Sequence, residues 1–69
     1  MKYKKIRAEI KSRLKAANIP QREAAEHVGV ATDLMNAWLN GKKDLTYPKI
    51  ETLVRFLGGV LVQETYIDW

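Results

Sequence analysis

The chain contains no cysteine, which excludes disulfides and thiolate chemistry. It has one histidine, His27, and one serine, Ser12. A single histidine without cysteine cannot supply the usual zinc ligand sets. No carboxylate pair is set up by spacing, and nothing in the pattern brings Ser12 and His27 together as a hydrolytic pair. The inventory therefore argues against an enzyme, a metal site or a cofactor, and His27 reads as an exposed helix residue. No apolar run approaches the ~18 residues needed to span a bilayer, so no membrane-spanning segment is expected. The opening Met1 to Ile6 carries charge with no apolar stretch behind it, unlike a signal peptide. A cytoplasmic location is expected.

What is present is one small domain. The 69 residues are about half the usual domain length, and a chain this short buries only ~60% of the surface its unfolded form exposes. An apolar content of 46% is normal for a globular protein and argues against disorder. With a thin core and no disulfide, dimerisation is the expected support. The charge is unevenly placed. Residues 1–22 carry eight Lys/Arg and one Glu, a net +7, whereas residues 23–69 carry a net −3. The basic third holds Lys2, Lys4, Lys5, Arg7, Lys11, Arg13, Lys15 and Arg22. Such a segment points to a polyanionic partner, either nucleic acid or an anionic membrane, with a solvated helix face as the plain alternative, and Lys2, Lys4 and Lys5 can form a mobile arm.

Hydrophobic periodicity predicts four helices. In the first, about Tyr3 to Ala17, Ile6, Ile10, Leu14 and Ala17 form one apolar stripe, and Asn18 is the stop. A short second helix spans Gln21 to Val28, with Ala24, Ala25 and Val28 inward. Gly29 then ends it, because glycine enters the left-handed region cheaply. A third helix spans Thr32 to Leu39, with Met35, Trp38 and Leu39 inward and Leu34 at the edge of the stripe. Asn40-Gly41 stops it before a polar loop, Lys42-Lys43-Asp44. Thr46 caps a fourth helix, with Pro48 in its first turn and Ile50, Leu53, Val54 and Leu57 inward, and Gly58-Gly59 ends it. The β-branched tail Val60 to Ile67 reads as a strand. A lone strand has no stability of its own, and no other segment reads clearly as a strand, so pairing with the same strand of a second copy is expected.

Residues 21–42, QREAAEHVGVATDLMNAWLNGK, carry the function. Short helix, glycine turn and short helix, with Ala25 at a close crossing and Val28, Val30, Met35 and Trp38 as a shared core, meet the mechanical needs of a helix-turn-helix. Such a unit projects its second helix outward, and an α-helix fits the major groove of B-DNA.

The segment resembles the Cro/XRE family of phage and bacterial DNA-binding regulators. The likeness lies in Gln21, Ala24-Ala25, Val28-Gly29-Val30, Met35, Trp38, Asn40-Gly41-Lys42 and the helix from Thr46 to Gly58. With the first helix it covers about residues 4–58. It implies a mainly α protein, a four-helix lambda-repressor-like domain over residues 1–59 with its motif at about 21–40, and a C-terminal strand, residues 60–69, serving dimerisation. It also implies roles residue by residue. Gln21 clamps a DNA phosphate at a helix N-terminus, where free N–H groups favour anions. Arg22, Asn40, Lys42 and Lys43 grip the backbone beside it. Ala31, Thr32, Asp33, Asn36 and Ala37 form the base-reading surface, with Leu34 at its flank. There Asn36 suits adenine, Asp33 cytosine, and Thr32 a hydrogen bond or a thymine methyl. Val60, Val62, Tyr66 and Ile67 form the dimer interface.

Four features depart from the family pattern. Pro20 and Ala31 stand where capping Ser or Thr is usual, with Thr32 placed to take over from Ala31. The third helix has no Lys or Arg and contains Asp33. A strand stands where many members have a fifth helix. The resemblance implies a dimeric, sequence-specific repressor that binds a near-palindromic operator in double-stranded DNA, at a size that fits phage, prophage or plasmid control. Two other readings remain open. One is an antitoxin that binds DNA and holds a toxin with its tail. The other is a protein-interaction module that has lost DNA reading.

Overall fold

The computed structural model describes residues 3–69. The described chain is mainly helical: α1 (Lys4–Ala16), α2 (Gln21–Val28), α3 (Thr32–Leu39) and α4 (Tyr47–Phe56), followed by strands β1 (Val60–Val62) and β2 (Tyr66–Asp68). No described helix is long and apolar enough to cross a membrane.

The helices lie where apolar spacing places them. Ile6, Ile10 and Leu14 of α1 are buried, but Ala17 falls beyond the helix and is exposed, so the stripe is one residue shorter than expected. Lys4 and Lys5 belong to the first turn of α1 rather than to an arm, and Lys2 lies outside the described residues. The ends of α2 and α3 fall at the expected residues. Each of the four helices is followed by a left-handed residue: Asn18, Gly29, Gly41 and Gly58. At three of these ends the same pair of backbone bonds closes the last turn. After α3, for example, the N–H of Gly41 donates to Trp38 O and that of Lys42 to Ala37 O. At Gly29, φ is +84° and a Cβ would meet nothing within 4 Å. The demand there is on backbone conformation, not on space.

No side chain caps the N-termini of α2, α3 and α4. Pro20, Ala31 and Thr46 occupy the cap positions of α2, α3 and α4 in extended conformation, and none makes a side-chain cap bond. Thr32 does not take over from Ala31, because it is already the first residue of α3. Thr46 sits where expected but leaves the first turn of α4 uncapped, and Pro48 is accommodated there.

Trp38, Ile10, Met35, Ile50, Leu53 and Val54 are the largest fully buried side chains. Thus α3 and α4 supply most of the centre and α1 covers it. α2 packs most heavily on α3, and its buried Ala24 and Ala25 are small enough to allow close approach of neighbouring helices.

The tail departs from expectation. It is two strands, not one, and they pair with each other in an antiparallel hairpin with Leu61 opposite Ile67 and Val62 opposite Tyr66. Gln63 and Glu64 both take positive φ, and the Thr65 N–H donates to Val62 O across the turn. Strand periodicity then puts Leu61 and Ile67 together on the core face, while Val60, Val62 and Tyr66 share the other. Ile67, 6% exposed, is a core residue and cannot serve a dimer surface as expected. Gly59 lets this hairpin dock: a Cβ there would lie 2.7 Å from Trp69 Cε3 and 2.9 Å from Ile67 Cγ2.

Candidate nucleic-acid interface

The exposed face of α3 carries Thr32, Asp33 and Asn36, with Asn40 just past its end. Positions 32, 36 and 40 recur every fourth residue, so they stack along one face. The opposite stripe, Met35, Trp38 and Leu39, is locked in the core and fixes which side of α3 faces out. Ala37 is half-buried at the edge of the outward face, Leu34 is partly buried against the core, and Ala31 is exposed before the helix.

Gln21 opens α2, at the N-terminal end where the first backbone N–H groups have no intrahelical acceptor. The fold brings it against α3. Asn36 Nδ2 donates to Gln21 Oε1 at 2.9 Å. The Oδ1 of Asn36 in turn accepts from Asn40 Nδ2 at 3.2 Å, and Asn40 Oδ1 accepts from Lys11 Nζ at 3.4 Å. Four side chains from α1, α2, α3 and the following loop thus form one continuous hydrogen-bonded row on the surface. Three of them, Gln21, Asn36 and Asn40, are singled out by the sequence. The fourth, Lys11, is identified there only as one of eight basic residues.

The loop after α3 places Lys42 and Lys43 in solvent beyond this row. A Cβ at Gly41 would lie 3.2 Å from Arg7 Nη2, so the guanidinium of Arg7 packs over the same loop. Arg7 and Lys11 are one turn apart on α1 and both reach the end of α3. This places two of the N-terminal basic residues at the C-terminal end of α3. Arg13 lies elsewhere, over the ring of Trp69 at 4.2 Å. Arg22 is exposed in the first turn of α2, beside Gln21.

His27 is exposed, as expected, but its ring stacks on Phe56 of α4 with centroids 4.1 Å apart, a tie between α2 and α4. Among the described residues, no group of three or more His or acidic side chains converges as a metal site. No family model, characterised protein or solved structure matches the chain.

Proposed function

We propose that the chain is a sequence-specific double-stranded DNA-binding regulator of the Cro/XRE kind, its four helices in the lambda-repressor-like arrangement. The observation that carries this reading is the row Gln21–Asn36–Asn40. A side chain at a helix N-terminus, one on the outward face of the next helix and one in the loop beyond are held in a single hydrogen-bonded line. α3 then enters the major groove, with Thr32, Asp33 and Asn36 toward the base edges. Gln21, Arg22, Asn40, Lys42 and Lys43 contact phosphates on either side, joined by Arg7 from α1.

The division of labour follows from charge. α3 has no Lys or Arg, so affinity comes from the flanks and α3 contributes discrimination. Repression by operator occupancy is the simplest mode for such a module. A dimer would present two α3 helices to successive major-groove turns, ~34 Å apart. The tail pairs within the chain, and the dimer contact proposed is made by side chains on its outer face. The outer hairpin face offers Val60 and Tyr66, 52% and 54% exposed, beside Val62.

Titration of a fluorescent random-sequence duplex over a range of salt tests the electrostatic half of this reading. Log affinity should fall with log salt at a slope of about −0.9 per phosphate contact. Absence of duplex binding at low salt would overturn it.

A further inference from the structure

The row of side chains at the interface has a direction. Lys11 sits at one end, and an ammonium group can only donate. Its partner atom on Asn40 must therefore be the oxygen, as found at 3.4 Å. This turns the Asn40 Nδ2 toward Asn36, whose own oxygen must face it, as found at 3.2 Å. The Asn36 Nδ2 is then turned toward Gln21 and donates to Oε1 at 2.9 Å. With its oxygen occupied on the protein side, Gln21 is left with its Nε2 as the free end of the row.

We infer that Lys11 is a positioning residue: through Asn40 and Asn36 it fixes the orientation of the Gln21 amide so that a donor, not an acceptor, is offered outward. This rests on the reading of Gln21 as a phosphate contact. A phosphate oxygen accepts hydrogen bonds and repels an amide oxygen. An unpolarised Gln21 would present the wrong atom part of the time. The polarised one adds its NH2 group to the N–H groups of Gln21 and Arg22, which have no acceptor in the helix, in a first turn whose one acidic side chain is Glu23.

The row lies on the surface, where each hydrogen bond adds little to stability. Its task does not need a large energy. The two orientations of a side-chain amide are nearly equal in shape, and a facing pair of N–H groups suffices to disfavour one of them. The same donor-only end explains why a lysine 29 positions from Asn40 can act on a residue it does not touch.

The test combines a readout on the protein alone with one on DNA. In the free protein, the NH2 protons of Gln21 should exchange freely with water, while Asn36 and Asn40 each hold one bonded NH2 proton. Lys11→Glu replaces the donor with an acceptor and should reverse the row, so that the Gln21 NH2 group becomes bonded and its exchange, followed by NMR, slows. Lys11→Arg should keep the wild-type pattern. Unchanged Gln21 exchange in Lys11→Glu would overturn the inference.

On a random-sequence duplex, Lys11→Met and Lys15→Met each remove one charge from α1. Lys11→Met should weaken binding about tenfold more than Lys15→Met, the size of one lost charge-assisted contact. Lys11→Arg should restore the affinity. Equal losses from the two methionine variants would overturn the link to phosphate binding. A wild-type protein that binds no DNA would overturn the reading of Gln21 as a phosphate contact, while the exchange pattern would still decide the polarity of the row.

Discussion

The guanidinium of Arg13, on the outer side of α1, lies 4.2 Å from the centroid of the Trp69 ring. This contact pins the segment after β2 onto the first helix. Gly59 makes room for it, since any side chain there would collide with the same ring and with Ile67. Gly59→Ala should destabilise the fold by about 1–3 kcal/mol through overpacking. Trp69→Ala should cost less, because the ring is 36% exposed. Thermal unfolding of the two variants should rank them in that order.

Gly29 and Trp38 separate backbone from packing effects in the two central helices. Gly29→Ala forces a Cβ into the left-handed region and should cost about 1–2 kcal/mol without disturbing any neighbour. Trp38→Ala empties the centre of the core and should cost about 3–5 kcal/mol, a large share of the stability of so small a domain. Denaturant unfolding should give the larger loss for Trp38→Ala.

On the proposed reading Asn36 joins two roles. Its outward position suits adenine, and its amide is bonded to both Gln21 and Asn40. Asn36→Ala should therefore lower affinity for a selected operator by about 1–3 kcal/mol, the worth of one bidentate base contact. It should also weaken binding to random duplex, but by less, as Gln21 and Asn40 lose their common partner. Anisotropy titrations on both duplexes measure the two losses. Equal losses on the two would remove the base-reading role and leave only the positioning one.

The hairpin face carries the dimer prediction. Val60→Glu combined with Tyr66→Glu places charge on the outer face and leaves Leu61 and Ile67 in the core. Sedimentation should show a dimer for the wild type and a folded monomer for the variant, and operator affinity should fall steeply. A variant that remains dimeric would move the interface elsewhere.

The helices were legible because their signals are local. Ile6, Ile10 and Leu14 recur at helical spacing, and Asn18, Gly29, Gly41 and Gly58 stand at the left-handed positions. The hairpin was not legible. Its turn residues, Gln63 and Glu64, take positive φ without being the Gly, Asn or Asp that usually announces such a turn. Reading through them made one strand of two and assigned Ile67 to the dimer interface, although its alternation with Val62 and Tyr66 already sets it with Leu61 on the opposite, core face. The site was legible in part. Gln21, Asn36 and Asn40 stand out in the motif and are brought together. Lys11 joins them only through the packing of α1 on α3, a contact spanning 29 positions that no local pattern encodes.

Selection of random duplex DNA by the purified protein, read by sequencing, tests the central claim most directly. The account predicts an enriched inverted repeat with half-sites about one helical turn apart, ~34 Å centre to centre. No enrichment, with binding that disappears at moderate salt, would mean backbone contact alone and would contradict it.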